Sequence, residues 1–420
     1  MSWHAAGVLL APALLVAPIA AQEQAAAPSD AVHPVSFSFR TAVKASLLLS
    51  HAPDDPALFP ERQTAVSFWR ARFEPSVRAG SDLIFAAAYE QRLQVFNQAP
   101  GLTGGGILPS NAPAPFRIRQ LDWGLSEHSG LLWRHEIDRA YVGWHLPAAD
   151  ITVGRQAVGW GRGVLFGAVD IFSPFSPLEA DREWRRGVDA VRAEVPLTDR
   201  VSVDGVAVFG QAIDESVFAG RLRGYAGKVD VELLGGRRGR DLFSGVTSSA
   251  AVGDAEVHGE LAVFRASDDV RGRTTDRAVA KAVAGVSYRF GIGGGILAFA
   301  EYHYSGFGVR RPEDIVPQLA DPGVVHRLLR GDTQILGRHA IAVTASSELS
   351  PELVLGGLWL HSPVDGSGVA APTATFSFGD KVSLVMNVYA PYGRAPRGTT
   401  LRSEYGANGL SGFVQLRLYT

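Results

Sequence analysis

The sequence predicts an all-β fold, a transmembrane antiparallel up-and-down β-barrel of about eighteen strands, and three observations predict it. Short stretches alternate apolar with polar side chains along most of the 420 residues. The connections between these stretches alternate between a tight turn and a longer loop. No internal stretch is apolar over the ~20 residues that a membrane-spanning helix needs, so strands must do any spanning. Sixteen strands are the alternative count, if residues 216–240 hold fewer of them.

The first and last predicted strands show the alternation clearly. In 35–49, Phe37 and Leu47 lie on the face opposite Lys44, because side chains of a strand alternate with period two. In 411–420, Leu416 likewise opposes Arg417. One face suits lipid and the other suits water, which is the pattern of an outer-membrane barrel.

The remaining predicted strands follow the same rule. The eighteen segments are 35–49, 64–77, 82–95, 132–146, 150–160, 186–196, 200–211, 216–226, 229–236, 240–251, 255–266, 279–290, 295–305, 337–348, 352–361, 368–378, 381–391 and 411–420. Every second connection is a tight turn of residues such as Gly253-Asp254, and the longest of the others cover 97–131, 161–185, 306–336 and 392–410. Short periplasmic turns and long outer loops are therefore predicted.

Composition and the N-terminal residues predict an exported protein of the bacterial outer membrane. Residues 1–21 have the apolar core and small residues of a signal peptide, 22–34 form a short periplasmic segment, and 35–420 form the barrel. With 40 basic and 42 acidic residues the net charge is −2, so nucleic acid is not an expected partner. The expected partners are outer-membrane lipid, lipopolysaccharide, the barrel-assembly machinery and a small-molecule or saccharide solute. The absence of cysteine excludes disulfides and a thiol nucleophile.

The face opposite the lipid carries the charged side chains, which are predicted to line the pore. The basic ones, on the first eight predicted strands, are Arg40, Lys44, Arg70, Arg72, Arg92, Arg139, Arg155, Arg192, Arg221 and Arg223. The acidic ones are Glu90, Glu194, Asp230, Glu232, Glu260 and Glu301. Two interpretations are open: these charges brace the barrel as ion pairs, or a basic wall attracts anionic solutes.

The connection at 161–185 is expected to fold into the barrel and narrow it. Its glycines permit tight bends, and its phenylalanines need burial. The residues predicted to form this constriction are Trp160, Phe166, Asp170, Phe172, Phe175, Asp181, Arg182 and Glu183. Simple filling of the barrel interior is the alternative.

The segment 136–192 carries a recurrent motif pattern. Its matching positions are Asp138, Arg139 and Tyr141, then Gly154, Arg155 and Gln156, then Trp160, Gly161, Gly163 and Phe166, then Asp170, Phe172, Pro174 and Phe175, then Asp181, Glu183, Gly187, Val188 and Asp189. The pattern resembles bacterial outer-membrane barrels related to the alginate-export porins. The resemblance implies passive movement of a solute, for example an anionic saccharide. The chain departs from the pattern at residues 167–169, and its C-terminus ends in Tyr419-Thr420 rather than in an aromatic residue.

No motif for catalysis, metal binding or a cofactor is present. The chain lacks HExxH, GxSxG and a Gly-Lys-Ser/Thr phosphate loop. The pairs His258 with Glu260 and Glu301 with His303 are expected to be structural. A passive, porin-like channel for small or anionic polar solutes, saccharides among them, is the leading hypothesis, and an enzyme is not expected. The alternatives are a plugged barrel that anchors surface polysaccharide or mediates adhesion, and an outer-membrane hydrolase.

Overall fold

The computed structural model describes residues 35–97, 106–128, 130–267, 277–292 and 294–420. The predicted signal peptide and the segment 22–34 lie outside these residues. The strands are β1 (Val35–His51), β2 (Gln63–Ala79), β3 (Leu83–Phe96), β4 (Asp122–His128), β5 (Leu131–Leu146), β6 (Ala149–Gln156), β7 (Val188–Thr198), β8 (Val201–Val208), β9 (Val217–Ala226), β10 (Val229–Arg238), β11 (Asp241–Val252), β12 (Ala255–Arg265), β13 (Ala278–Phe290), β14 (Ile296–Ser305), β15 (His339–Ser350), β16 (Leu353–Ser362), β17 (Ser367–Ser377), β18 (Val382–Tyr392) and β19 (Leu410–Tyr419).

The strands close into one antiparallel barrel. Strand β1 pairs with β2 on one side and with the last strand, β19, on the other. Strand β3 pairs directly with β5, so β4 is not part of the closed circle. Eighteen of the nineteen strands therefore form the barrel, and the predicted fold class is confirmed.

Strand β4 lies inside the predicted loop 97–131 and was not predicted. Strand β6 ends at Gln156, short of the predicted 160, and pairs only with residues 140–146 of β5. The outer part of β5, residues 131–136, pairs with β4 instead. The sequence alone does not predict β4, because its pairing depends on the tertiary structure. The short β6 leaves part of the β5 edge unpaired, and an extended segment beside that edge can form hydrogen bonds with it. Similarly, β7 begins two residues later than predicted and β8 ends at Val208.

The two faces of the wall have the predicted chemistry. Leu47 and Leu416 are 43% and 38% exposed on the outward face, where lipid contacts the barrel. Lys44 and Gln415 are buried on the inward face of the same strands. The inward face therefore holds the polar groups that any site would use.

The outer loop 306–336 contains helical structure instead of the plain loop that was expected. A 3-10 turn at Pro312–Asp314 precedes two short helices, Ile315–Leu319 and Pro322–Arg330. The Asp321 carboxylate accepts the N–H of Gly323 at the start of the second helix, which is a standard N-terminal cap. Among the described residues, no helix has the length and apolarity to cross a membrane.

Candidate functional site: a loop held across the lumen

Residues 157–187, between β6 and β7, run through the interior of the barrel and are named the inward loop. At one wall, Lys44 of β1 donates hydrogen bonds to Asp181 (2.7 Å) and Glu183 (2.6 Å). At another wall, Arg162 pairs with Glu232 of β10 at 3.2 Å. Contacts to strands so far apart around the circle place the loop inside the lumen, as its sequence predicted.

Two buried glutamates hold the backbone of the inward loop and are named the carboxylate clasp. Glu260 of β12 accepts the N–H groups of residues 162, 163, 168 and 169. Glu301 of β14 accepts those of residues 164, 165 and 166. The chain curls tightly around these carboxylates, and a Cβ at Gly163 would lie 1.8 Å from the carbonyl oxygen of Phe166. Seven N–H groups that burial would otherwise leave unpaired are thus satisfied.

Near its C-terminal end the inward loop contacts a cationic cluster formed by Lys44, Arg70 and Arg72. The Trp184 ring lies 3.8 Å from Lys44 Nζ and 4.6 Å and 5.0 Å from the guanidinium carbons of Arg70 and Arg72. These are cation–π distances. Arg70 also lies 3.6 Å from Asp181 of the inward loop, so the cluster binds the loop through both charge and stacking.

Asp138 joins the wall, the inward loop and a second loop. It lies at a bulge, because β3 sets Ala88 opposite Arg139 and Tyr89 opposite Ile137, which leaves Asp138 as the extra residue. Its carboxylate accepts from Arg72 (2.9 Å), Arg117 (3.1 Å), Arg139 (3.0 Å) and the N–H of Gly187 (2.9 Å). A bulge turns two consecutive side chains to one face, so Asp138 and Arg139 both serve this network.

The predicted basic wall is largely neutralised by carboxylates. The pairs are Arg72 with Glu74, Glu90 and Asp138, Arg92 with Glu90 and Glu136, Arg192 with Asp204 and Glu194, Arg221 with Asp204 and Glu232, and Arg223 with Glu232. Asp230 faces Arg162. Arg40 differs, since its side chain is 75% exposed and lies 3.5 Å from Glu74. Of the two interpretations, bracing by ion pairs describes most of these residues.

Arg155 does not line the lumen as predicted. The register sets it opposite Ala140, in the same set of positions as Val142 and Val153, which are exposed on the outward face. Its guanidinium donates to the carbonyls of residues 119, 120 and 137 and to Asp189. The neighbouring Gly154 has φ +122°, so the inward and outward alternation of side chains is interrupted at this end of β6.

Several residues of this network were not predicted from the sequence. Asp204 and Glu136 occupy inward positions of the alternating pattern, so that pattern could have identified them. Asp138 was noticed as part of a motif, but its bulge has no sequence signal. Arg117 lies in a loop and reaches Glu136 and Asp138 only in the folded barrel.

At the level of the inward loop the lumen is filled. Of the aromatic residues predicted for the constriction, Trp160, Phe166 and Phe172 are buried, and Phe175 is partly buried beside Arg182 and Arg185. Inward side chains all around the circle are at most 1% exposed, namely Lys44, Glu90, Asp204, Thr247, Lys281, Leu360 and Gln415. Asp170, by contrast, pairs within the loop, with Arg185 at 2.5 Å.

The predicted pairs His258 with Glu260 and Glu301 with His303 are not the ones that form, because His258 bonds to Glu301 and His303 stacks on Phe166. His258 Nε2 lies 2.9 Å from Glu301 Oε1, so this histidine orients a clasp carboxylate. His303 stacks on Phe166 with ring centroids 4.8 Å apart. Within the described ranges, no group of three or more His, Asp or Glu side chains is arranged to hold a metal ion.

Glu404 fastens two outer loops to each other. Its carboxylate accepts the N–H groups of Leu336 (2.9 Å) and Gly337 (2.8 Å), while its own N–H donates to Asp365 (2.7 Å). Burial, which these N–H groups only partly offset, raises the pKa of Glu404 to about 7, with a further increase from the nearby Asp365.

This junction is expected to weaken as the pH rises through about 7. The docked state binds the Glu404 proton more tightly than the undocked state, so docking is most stable below the ordinary pKa of a glutamate and loses stability towards pH 8. Hydrogen exchange at Leu336 and Gly337, corrected for the intrinsic rate, should be faster at pH 8 than at pH 6. The Glu404→Gln variant should lose this dependence, and an equal dependence in both proteins would contradict the prediction.

A closed eighteen-strand antiparallel barrel with a loop folded into its lumen defines the class: this is the fold of outer-membrane porins. Among solved structures, Acinetobacter baumannii OccAB1 is similar with a TM-score of 0.56 at 8% identity, covering 91% of this chain and 96% of its own. Pseudomonas aeruginosa OccK11 (OpdR) is similar with a TM-score of 0.52 at 10% identity, covering 91% of this chain and 95% of its own. Pseudomonas aeruginosa OccK7 (OpdD) is similar with a TM-score of 0.52 at 8% identity, covering 91% of this chain and 98% of its own. At these identities the likeness concerns the fold.

Sequence comparisons add no closer assignment. No family profile matches the chain. No curated protein matches it in sequence. The resemblance to alginate-export porins therefore has no support beyond the motif itself.

Proposed function

We propose that this protein is a passive outer-membrane channel for small polar solutes, in which the inward loop controls passage. The observation that carries the proposal is a closed barrel with a polar inner face and a loop fastened across it by hydrogen bonds and ion pairs. These polar contacts can exchange with water when the loop moves, while its buried side chains, Trp160, Phe166 and Phe172 among them, would have to leave an apolar cluster. The porin fold supports both the location and the class of activity.

The finer proposal is a preference for anionic solutes, saccharides among them. Most basic side chains of the lumen are paired, so the preference rests on those that keep solvent access. Arg40 is largely exposed at the periplasmic end, and Arg417 donates to the amide oxygen of Gln415 at 2.6 Å. Exposed cations near a pore entrance raise the local concentration of anions.

Planar-bilayer recording tests this function. Purified protein should give discrete conductance steps, and the reversal potential in a salt gradient should show anion preference. Arg40→Gln together with Arg417→Gln should reduce that preference, while Arg265→Gln, an exposed position on the outward face of β12, should leave it unchanged. A complete absence of conductance steps would overturn the channel, and cation preference would overturn only the finer proposal.

The filled lumen favours a second candidate, a plugged barrel that anchors surface polysaccharide or mediates adhesion. In that case the outer loops would bind the partner, and no solute would pass. Two results together would favour this candidate: liposomes that contain the protein do not swell in solutions of small sugars, and cells that carry the protein retain surface polysaccharide. The hydrolase alternative gains no support from the described residues, because His258 and Glu301 are engaged in holding the inward loop.

A further inference from the structure

A cavity of about 360 Å³ opens at the outer rim, where β18 and β19 separate. The two strands pair only as far as Tyr389 with Ser411, although β18 continues to Tyr392 and β19 begins at Leu410. The cavity occupies this notch and is lined by His51, Arg62, Tyr392, Asn408 and Leu410, among others. Its volume is in the range of small-molecule and headgroup sites.

The notch faces the membrane side of the wall. His51 pairs with Leu410, and both continue the outward set of Leu49 and Val414. Tyr392 likewise continues the outward set of its strand and is 37% exposed. Because the long loops mark the outer end of the barrel, these residues lie where the outer leaflet meets water.

One side of the notch is cationic. A guanidinium nitrogen of Arg62 lies 3.1 Å from His51 Nε2, and Arg62 Nε donates to the carbonyl of Ala52 at 3.4 Å. The Asp54 carboxylate is 3.6 Å from an Arg62 nitrogen and 80% exposed, which makes it a weak partner. Each Nη atom of Arg62 has one N–H beyond these contacts, and Arg62 lines the notch, so its guanidinium can donate to a phosphate there.

On the other side Tyr392 lines the notch, and its ring ends a row of aromatic side chains that continues along the wall. The rings of Trp359 and His361 stack 5.1 Å apart at 11°, and His361 stacks on Tyr392 at 6.1 Å and 19°. The Tyr392 hydroxyl lies 2.9 Å from both Trp359 Nε1 and His361 Nδ1, which fixes the row. Amphipathic rings at this depth anchor a barrel in the interface, and a ring face beside a cation also suits a sugar.

We propose that this notch binds the phosphorylated sugar headgroup of an outer-leaflet glycolipid. Arg62 and His51 hold the phosphate, and Tyr392 packs against the sugar ring. A membrane lipid is the source that fits, because the cavity opens on the outward face at the level of the headgroups and not into the lumen. The site is independent of solute passage, so its test does not depend on the proposed channel.

Native mass spectrometry of the full chain with diphosphoryl lipid A tests the site. The folded protein should retain a lipid A molecule, and Arg62→Gln should weaken this binding about tenfold, as expected for loss of a charge-assisted hydrogen bond. Arg265→Gln is the matched control, since Arg265 is exposed on the outward face at the outer end of β12. Tyr392→Phe should retain binding, and Tyr392→Leu should lose it.

Three results would overturn the site: no bound lipid A, equal loss in the Arg62 and Arg265 variants, or full displacement by millimolar inorganic phosphate. The last result would identify a free-anion site instead. Conductance of the Arg62→Gln variant should equal that of the parent protein. A protein that binds lipid A but gives no channels would therefore refute the channel while supporting the lipid site.

Discussion

Replacing both clasp glutamates, Glu260 and Glu301, with alanine is expected to release the inward loop and raise channel conductance. The two carboxylates accept seven backbone N–H groups in a buried setting. A hydrogen bond to a charged group contributes roughly 1.5–3 kcal/mol, and each unpaired buried donor has a comparable cost. The loop should therefore find partners in water instead, and the open state should become at least about tenfold more populated, since 1.4 kcal/mol corresponds to that factor.

Single-channel recording measures this effect, and hydrogen exchange at residues 162–169 reports the loop itself. Glu256→Ala is the matched control, because Glu256 lies on β12 with the same inward parity but is exposed. The variants should stay folded, since the barrel strands pair without the loop. Unchanged conductance together with faster exchange would show that the loop moves but does not gate, and unchanged exchange would refute the clasp.

The Asp138→Ala variant is expected to lose about 3–5 kcal/mol of stability, which is typical when one partner of a buried ion-pair network is removed. Three arginines, Arg72, Arg117 and Arg139, would lose a shared carboxylate, and the N–H of Gly187 would lose its acceptor. Arg72 keeps Glu74 and Glu90, and Arg117 keeps Glu136, so the barrel should weaken without losing its fold.

Urea unfolding followed by tryptophan fluorescence measures this change. Asp138→Asn should be milder, because the amide oxygen can still accept from Gly187. Asp150→Ala serves as control: its side chain is 58% exposed beside a periplasmic turn, and surface changes of this kind usually stay within about 0.5 kcal/mol. A loss at Asp138 no greater than that at Asp150 would show that the network does not stabilise the barrel.

The alternation of side chains predicted most of the barrel because it is a local property. A residue such as Leu416 or Gln415 is assigned to a face by its neighbours alone, whatever strand lies beside it. The same reasoning identified eighteen barrel strands and the inward course of the loop, whose phenylalanines had to be buried. It failed at Asp138 and Arg155, where a bulge and a glycine with positive φ interrupt the period of two.

The partners of the charged groups could not be predicted in this way. Lys44 meets Asp181 from 137 positions away, and Val164 meets Glu301 from the same separation. Ten basic side chains on neighbouring strands favoured the prediction of a cationic wall. That prediction omitted the carboxylates that neutralise them, namely Glu136, Asp138 and Asp204. Whether a charge is free or paired depends on a few ångströms, which the sequence pattern does not specify.

The sequence by itself thus determined the barrel, its two faces and the segment that enters the lumen, because steric alternation and the need to bury aromatic rings act within a few residues. Only the tertiary structure decided that β4 pairs with the part of β5 that β6 does not reach, that Glu260 and Glu301 clasp the loop, and that the basic residues are mostly neutralised. These features arise when the circle closes and brings distant residues within hydrogen-bonding distance, where each buried charge or N–H group requires a partner.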